Sequence, residues 1–219
     1  MDMGIAGKTA LVCASSKGLG RGCAEALAAE GVHLVMNARN SKGLEVVAEE
    51  LRLNYEIDIT TVACDVTTPE GQSKVLESAG SVDILVTNAG GPPPGLWSDW
   101  DRDDFIAAID ANMLAPIAMM KACLPGMIER RWGRVVNITS QSVKAPIAIL
   151  GLSNAARTGL TGYVAGTARQ VAEMGVTINN LLPGVHATDR MVALDSGVGL
   201  NQDITVEQAR KQREATIPV

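Results

Sequence analysis

The sequence predicts an α/β protein with a single doubly wound (Rossmann) domain built around a mostly parallel sheet. Three observations favour this class: six short aliphatic runs alternate with longer segments of helical periodicity, turn residues bound each run, and only 3% of the residues are aromatic. A chain of 219 residues is long enough to bury a full core in one domain. Because successive β-α units form right-handed crossovers, the strands should run parallel, with a ligand site beyond their carboxyl ends.

The six aliphatic runs are the predicted strands, and each is apolar enough to be buried on both faces of the sheet. No linker or low-complexity segment separates them, so residues 1–219 are expected to form one domain. The strands are predicted at Thr9–Ala14, Val32–Asn37, Thr60–Cys64, Asp83–Thr87, Arg134–Ile138 and Thr177–Leu182.

The segments between these runs carry helix signals. Thr68 before Pro69 is an N-cap residue followed by proline at the first helical position. The long helix Asp101–Arg131 is expected to bend near Pro116 or Pro125, because a proline removes a main-chain hydrogen bond. The remaining helices are predicted at Gly18–Glu30, Ser41–Leu53 and Ser153–Met174.

Composition and charge exclude several functional classes. A net charge of −5 and a pI near 5.1 argue against nucleic acid or an anionic membrane as partner, and no uninterrupted apolar run approaches the ~18 residues of a membrane helix. Four cysteines without a CxxC pair, and only two histidines, support neither a metal site nor a disulfide framework. The first residues lack the pattern of a secretory signal, which makes the cytoplasm the expected location.

A glycine-containing turn follows the first strand and leads into a helix. Glycines let main-chain N–H groups approach a diphosphate, and the helix N-terminus adds about half a positive charge. The alternative is that these glycines only cap a helix. The residues predicted to hold the diphosphate are Ala14, Ser16, Lys17, Gly18, Leu19 and Gly20.

The end of the second strand favours NADP over NAD. Dinucleotide folds that use NAD place an acidic residue there on the ribose 2′-hydroxyl. This chain has no Asp or Glu between Glu30 and Glu45, and it places Arg39 after the strand and Lys17 in the glycine loop. Two cations suit a 2′-phosphate. The alternative is that both are solvated surface residues.

Six ordered motifs along nearly the whole chain resemble the short-chain dehydrogenase/reductase family, in particular its 3-oxoacyl-carrier-protein reductases. The resemblance implies that Asp65 and Val66 contact the adenine, that Asn88-Ala89-Gly90 lines the cofactor near the nicotinamide ribose, and that the segment from Pro183 to Thr188 holds the nicotinamide end. The motifs are the glycine loop, Asp65-Val66, Asn88-Ala89-Gly90, Asn112, Ser140, and Pro183-Gly184-x-x-x-Thr188.

Three positions depart from the family pattern. Ala14 occupies the place of the first glycine of the loop, which should alter cofactor affinity more than abolish binding. The family's reductases also use a Tyr thirteen residues after the Ser and a Lys four residues further on, and counting from Ser140 gives Ser153 and Arg157. The catalytic residues implied by the resemblance are therefore Asn112, Ser140, Ser153 and Arg157, with Arg157 also a ligand of the cofactor ribose.

Loss of the tyrosine removes the usual proton donor, because a serine hydroxyl is a far weaker acid than a phenol. His186 and Lys144 are alternative donors, or else only exposed loop residues. Ser153 is alternatively the N-cap of its helix. Tyr163 lies ten residues beyond Ser153, about 280° around the helix at 100° per residue, and is expected to pack elsewhere.

Ser140, Asn112 and the two tryptophans of the proline-rich segment also have alternative structural roles. Ser140 is alternatively a cap at the end of its strand, and Asn112 alternatively bonds a backbone carbonyl of its helix. In the proline-rich segment 91–100, Trp97 and Trp100 either form a wall of the substrate pocket or pack beneath a rigid surface loop.

The sequence leaves two functions open. The first is an NADP(H)-dependent reductase of a small ketone or aldehyde, a 3-oxoacyl-like compound being one candidate, with an atypical proton donor. The second is a nucleotide-binding regulatory or structural protein that has lost hydride transfer. By resemblance, residues 187–215 form a substrate lid, the family's last helix and strand are missing, and the chain assembles as a homodimer or homotetramer.

Overall fold

The computed structural model describes residues 2–215 and residue 217, except for the side chains at positions 190, 193, 200 and 201. Within this range the chain divides into two compact units, Met1–Pro183 and Gly184–Val219. The first unit contains the whole sheet. That residues 1–219 form one domain stays a prediction.

A six-stranded parallel sheet forms the centre of the first unit, in the order β3-β2-β1-β4-β5-β6. This order is that of a doubly wound dinucleotide-binding fold, and it confirms the predicted fold class. The observed strands agree with the predicted ones within one or two residues at each end: β1 (Thr9–Val12), β2 (His33–Ala38), β3 (Ile59–Ala63), β4 (Ile84–Thr87), β5 (Gly133–Ile138) and β6 (Val176–Leu181).

Helices alternate with the strands along the first unit, as predicted. A three-residue 3-10 turn precedes α6, and another follows it. The helices are α1 (Gly18–Ala29), α2 (Ser41–Asn54), α3 (Pro69–Ala79), α4 (Arg102–Ile109), α5 (Ala115–Glu129) and α6 (Gly151–Val171).

The core lies on both faces of the sheet, because neighbouring residues of a strand point to opposite faces. Ala10 and Val12 of β1 belong to a cluster that includes residues of α1 and α2. Leu11, between them, belongs to a second cluster with residues of α3, α5 and α6. The aliphatic runs of the sequence therefore reflect helix layers on both sides of the central strands.

The prediction that every strand is buried on both faces is wrong for the two edge strands. In β3, Thr60 is exposed, and in β6 the side chains of Thr177, Asn179 and Leu181 are exposed. An edge strand has a neighbour on one side only, so the helix layers cover it less completely. The sequences of β3 and β6 both contain polar residues, and these residues were the signal that one face of each strand is exposed.

The long predicted helix between β4 and β5 is interrupted by a π-helical turn at Asp110–Leu114. Pro116 accounts for it, because its ring lacks an N–H for the carbonyl of Asn112 and crowds that carbonyl. Pro125, by contrast, lies inside the regular helix α5. The run Arg102–Glu129 is long and apolar enough to span a membrane by length and composition, a test that core helices of soluble proteins also pass.

The second unit contains two helices, α7 (Asp189–Gln202) and α8 (Val206–Glu214). Arg213 forms a bidentate ion pair with the buried Asp195, with N–O distances of 2.8 and 2.9 Å. This ion pair joins the two helices. These hydrogen bonds lower the pKa of the Asp195 carboxyl below its usual value. The family resemblance had predicted the segment 187–215 as a substrate lid without these helices.

Candidate active site

The strand order reverses between β1 and β4, which are neighbours in the sheet although two strands separate them in the chain. A reversal of this kind opens a crevice outside the carboxyl ends of the two strands, where ligands bind in doubly wound folds. The glycine loop follows β1, and Asn88 follows β4 directly. The structure thus brings these two predicted segments to one edge of the sheet.

The glycine loop is a tight turn held against the neighbouring strand. Ser15 is fully buried and donates its main-chain N–H and its hydroxyl to the carbonyl of Asn37 at 2.8 and 3.2 Å. Gly18 adopts a φ of +57°. A Cβ atom built on Gly20 would lie 2.3 Å from the carbonyl oxygen of Ala14 and 3.0 Å from Nδ2 of Asn88. Only glycine fits at position 20 without a shift of the loop.

The start of α1 offers main-chain donors to an anion. The first N–H groups of a helix have no partner within it, and the N-cap Lys17 does not cap them with its side chain. Ser16 is half-buried beside them, and Leu19 packs against the core beneath the loop. The tight loop and these donors fit a bound diphosphate.

Ala14 adopts a φ of +51°, the left-handed conformation that favours glycine. This conformation costs an L-residue about 1–2 kcal/mol. We expect Ala14→Gly to raise the free energy of unfolding by up to about 1 kcal/mol, since relief of strain exceeds the entropy that glycine adds to the unfolded chain. Denaturant unfolding checks this expectation.

The matched control for this substitution is Ala26→Gly, in the exposed interior of α1. Ala26 has ordinary helical geometry, so its replacement should lower the free energy of unfolding by about 0.5–1 kcal/mol. Equal destabilisation by both substitutions would show that Ala14 carries no strain.

Arg39 and Asp65 follow neighbouring strands on the other side of the glycine loop. The Arg39 side chain is 81% exposed, and its Nη1 atom lies 3.9 Å from Oδ2 of Asp65. Asp65 accepts hydrogen bonds from the amide and hydroxyl of Thr67, which together with Arg39 hold the pKa of its carboxyl below the usual range. Val66 beside it packs against the core. Arg39 is therefore accessible, next to an ionised carboxylate.

A row of polar side chains, two of them buried and one half-buried, lies below the strand ends. Thr87, Asn137 and Asn180 are aligned partners on β4, β5 and β6. The hydroxyl of Thr87 donates to Oδ1 of Asn137 at 2.6 Å, and Nδ2 of Asn137 lies 3.2 Å from Oδ1 of Asn180. Sequence reasoning missed this row, although two asparagines inside aliphatic runs were a signal for it. The row ties together the three strands that lead to Asn88, Ser140 and Pro183.

Ser140 lies two residues beyond β5, at the start of a short 3-10 turn, Gln141–Val143. Its Oγ accepts a hydrogen bond from the main-chain N–H of Ser142 at 3.1 Å. Ser140 is therefore a cap at the end of its strand, which is the alternative role predicted for it from the sequence. This role is compatible with a catalytic one, because the capping bond uses a lone pair and leaves the hydroxyl proton for donation.

Ser153 is buried in the first turn of α6, which begins at Gly151 with Leu150 as N-cap. The alternative that Ser153 is the N-cap of this helix is therefore wrong. Gly151 lies against Trp100, and a Cβ there would be 2.4 Å from the indole. Tyr163, further along α6, packs against the core as expected.

Arg157 lies one turn after Ser153 and is 8% exposed. Its Nη1 atom donates to the main-chain carbonyls of Ile138 at 2.7 Å and Thr139 at 3.0 Å. These carbonyls immediately precede Ser140. The structure thus brings Arg157 and Ser140 together, through the main chain of the strand end.

Asn112 occupies the π-helical turn and is 3% exposed. Its Oδ1 atom has no hydrogen-bond partner among the described residues, and the same holds for Oγ of Ser142 and Oδ1 of Asn154. Buried polar atoms without partners are rare, and π turns recur at functional sites. The alternative that Asn112 bonds a backbone carbonyl of its helix concerns the amide nitrogen Nδ2, and it stays a prediction.

The proline-rich segment after Gly90 contains one packed and one exposed tryptophan. Trp100 packs against Gly95 and Gly151 and stacks edge-on with Phe105, whereas Trp97 is 89% exposed. The N–H of Gly95 donates to the carbonyl of Ile149 at 3.0 Å. Trp100 therefore packs beneath the segment, and the Trp97 side chain is exposed.

Lys144 and His186, the two alternative donors, are both exposed. Lys144 ends the 3-10 turn that begins after Ser140. His186 belongs to the second unit, where its Nδ1 lies 3.3 Å from the carbonyl oxygen of Gly184. In the same unit, Thr188 is the N-cap of α7 without a side-chain capping bond. The cofactor roles of Gly184 and Thr188 stay predictions.

Burial makes the cysteines poor nucleophiles. It raises the pKa of Cys13 and of Cys123 to about 12, so both are protonated thiols. Among the residues that the structure describes, no group of three His, Cys, Asp or Glu side chains is placed to hold a metal ion.

The fold and the loop after β1 together define a dinucleotide-binding protein of the doubly wound class. The chain belongs to the short chain dehydrogenase family, whose model matches residues 8–198. The 3-oxoacyl-[acyl-carrier-protein] reductase FabG of Vibrio cholerae is 34% identical over 199 residues, which cover 88% of this chain and 79% of that protein.

Solved structures agree with this assignment. L-sorbose reductase from Gluconobacter frateurii, complexed with NADPH and L-sorbose, superposes on this chain with a TM-score of 0.87 at 29% sequence identity. The superposition covers 91% of this chain and 77% of the reductase chain. YwfH, an NADPH-dependent reductase involved in bacilysin biosynthesis, has a TM-score of 0.90 at 26% identity, with 96% and 84% covered.

Proposed function

We propose that this protein is an NADPH-dependent reductase of a ketone or aldehyde that works without the family's tyrosine and lysine. The observation that carries the proposal is the Ser140 hydroxyl, fixed by the Ser142 amide at the sheet edge where the glycine loop and Asn88 also lie. Family membership and the NADPH-bound reductase of similar structure support it. A 3-oxoacyl compound is one candidate substrate, since a 3-oxoacyl reductase is among the relatives.

The cofactor would be held along the edge from β2 to β6. The loop from Ala14 to Gly20 would hold the diphosphate with main-chain N–H groups, and Asp65 with Val66 would contact the adenine. Asn88, Ala89 and Gly90 would line the nicotinamide ribose. Pro183, whose carbonyl accepts a hydrogen bond from the amide of Gln141, would contribute to the nicotinamide end.

Bound NADPH supplies a hydride to the carbonyl carbon of the substrate. The Ser140 hydroxyl donates a hydrogen bond to the carbonyl oxygen and stabilises the negative charge that develops on it. The guanidinium of Arg157 adds a fixed positive charge behind that serine. Asn112, with its unpartnered Oδ1, would accept a hydrogen bond from a water molecule or from the substrate.

Protonation of the alkoxide is the step in which this chain departs from its family. Ser153 replaces the phenol, and an arginine cannot release a proton near neutral pH. We propose that another group protonates the alkoxide, with Lys144 and His186 as the candidates. A positioned general acid is worth about 10²–10⁴-fold, so turnover without the tyrosine is slower but not abolished.

The second candidate function is nucleotide binding without hydride transfer, in a regulatory or structural role. The replacement of the family's Tyr and Lys by Ser153 and Arg157 favours it, because a serine hydroxyl is a far weaker acid than a phenol and an arginine cannot release a proton near neutral pH. The two functions differ in a single result: both predict NADPH binding, and only the reductase predicts transfer of hydrogen to a carbonyl carbon.

We also propose a cytoplasmic location, a small-molecule substrate and assembly as a homodimer or homotetramer, with neither nucleic acid nor a membrane as partner. The net charge of −5 supports the absence of nucleic acid. Gly162 and Gly166 lie on the exposed side of α6, and a Cβ atom added to either would have no neighbour within 4 Å. This side of α6 therefore has room for a second helix to approach closely.

Calorimetric titration with NADPH and NADH tests the cofactor assignment. We expect NADPH to bind at least about tenfold more tightly, because charge-assisted hydrogen bonds to the 2′-phosphate are worth about 1.5–3 kcal/mol. Arg39→Met should remove most of this preference. Its control is Arg102→Met, an arginine of similar exposure on α4, which should leave both affinities unchanged. Equal affinities for both nucleotides in the unsubstituted protein would overturn the NADP assignment.

A further inference from the structure

We propose that Arg157 is a positioning residue that fixes the end of β5 and thereby places Ser140, in contrast to the ribose-binding role that the family resemblance implies for this position. The link to catalysis rests on the proposed function. The role of Arg157 in fixing the end of β5 does not depend on the proposed function, and hydrogen exchange tests it separately.

The contacts of Arg157 support this role. One nitrogen, Nη1, donates to two consecutive carbonyls, those of Ile138 and Thr139. The side chain reaches them from α6, on which Ser153 lies one turn earlier. Ser140 follows the second of these carbonyls directly, so the guanidinium connects the helix that carries Ser153 to the segment that carries Ser140.

The opposite side of the same segment is held by β6. Thr139 donates both its main-chain N–H, at 2.8 Å, and its hydroxyl, at 2.9 Å, to the carbonyl of Leu181. The amide of Gln141 donates to the carbonyl of Pro183 at 3.0 Å. Ser140 thus lies between two anchors, one on β6 and one on α6, and Arg157 is the α6 anchor.

An arginine suits this position better than a lysine. Both bonds come from one nitrogen, Nη1, whose two N–H groups are fixed in the plane of the guanidinium, so the two carbonyls define the orientation of the group. The side chain is 8% exposed and is directed at the main chain that precedes Ser140. The N–H groups of a lysine ammonium rotate freely at the end of a flexible stem, so a lysine would hold the strand end less firmly.

Hydrogen exchange and nucleotide binding together test the role of Arg157. The variant is Arg157→Met, which keeps an apolar stem and removes the donors; the control is Arg169→Met, an exposed arginine on the same helix. We expect amide exchange in residues 139–143 to accelerate at least about tenfold in Arg157→Met, with exchange in β2 unchanged. The Kd for NADPH should change less than about threefold, and Arg169→Met should alter neither quantity.

A ribose-binding role predicts the reverse pattern: NADPH affinity at least about tenfold weaker and exchange in residues 139–143 unchanged. That pattern would overturn the proposal. If Arg157→Met fails to fold, Arg157→Lys provides the test. The lysine variant should show faster exchange in residues 139–143 without loss of NADPH affinity, and unchanged exchange with weaker NADPH binding would contradict the positioning role.

The catalytic link is tested by kinetics with NADPH and a short 3-oxoacyl thioester as probe. We expect Arg157→Met to lower kcat and to leave the KM for NADPH unchanged. Combined with Ser140→Ala, it should cause little further loss, because the serine it positions is already gone. Full additivity would contradict the link. If the unsubstituted protein binds NADPH without turnover, the proposed function fails, and the exchange experiment still decides the role of Arg157.

Discussion

Ser140→Ala should lower kcat for carbonyl reduction by about 10²–10³-fold, the usual effect of removing one donor to a developing oxyanion. The affinity for NADPH should not change, because the hydrogen bond described for the Ser140 side chain joins it to the Ser142 amide, away from the glycine loop and Arg39. Steady-state kinetics with NADPH and a 3-oxoacyl thioester, together with a calorimetric titration, measure both quantities.

Ser142→Ala is the matched control for this substitution. Its hydroxyl is fully buried without a hydrogen-bond partner among the described residues, so its removal eliminates an unsatisfied polar atom. The main-chain N–H that donates to Ser140 remains. We expect kcat within about twofold of the unsubstituted protein and equal or higher stability. Comparable losses in both variants would show that Ser140 is not the specific donor.

Gly20→Ala should abolish measurable NADPH binding and lower stability. The added methyl group would lie 2.3 Å from the carbonyl oxygen of Ala14, which is main chain and cannot move without opening the loop. Overpacking of this kind costs about 1–3 kcal/mol of folding free energy. A displaced loop would also misdirect the N–H groups at the start of α1. Calorimetric titration and thermal unfolding measure the two effects.

Gly22→Ala, two residues further along the same helix, separates this local clash from a general effect of alanine. A Cβ atom at Gly22 has no neighbour within 4 Å. Alanine favours a helix over glycine by about 0.8–1 kcal/mol, so this variant should be more stable and should bind NADPH normally. Normal NADPH binding by Gly20→Ala would contradict the placement of the diphosphate at this loop.

Periodicity in the sequence predicted the strands well, because most of them are covered by helices on both faces. β1 and β4 read as short continuous aliphatic runs for this reason. The edge strands β3 and β6 were predicted at the right positions with the wrong burial, since the sequence does not show which strand has a neighbour on one side only. The π turn at Asp110–Leu114 was expected only as a bend near a proline.

The site was predictable where a motif determines main-chain geometry, and less so where side-chain direction matters. The glycine loop and Ser140 lie at the strand ends where the motifs placed them. The contacts of Arg157 with the carbonyls of Ile138 and Thr139 depend on how α6 packs against β6 and the turn after β5, and no local pattern encodes that packing. The same applies to the first turn of α6, which begins at Gly151 beside Trp100, two residues ahead of Ser153.

The proposed function requires this chain to transfer hydride from NADPH to a carbonyl carbon although Ser153 and Arg157 replace the tyrosine and lysine. The most direct test uses NADPH deuterated at the transferable position, with a panel of 3-oxoacyl thioesters, ketones and aldehydes, followed by mass spectrometry of the products. We predict an alcohol that carries one deuterium at the former carbonyl carbon, formed by the unsubstituted protein and strongly reduced with Ser140→Ala. Folded protein that binds NADPH and delivers deuterium to no member of the panel would contradict the claim and favour a nucleotide-binding role.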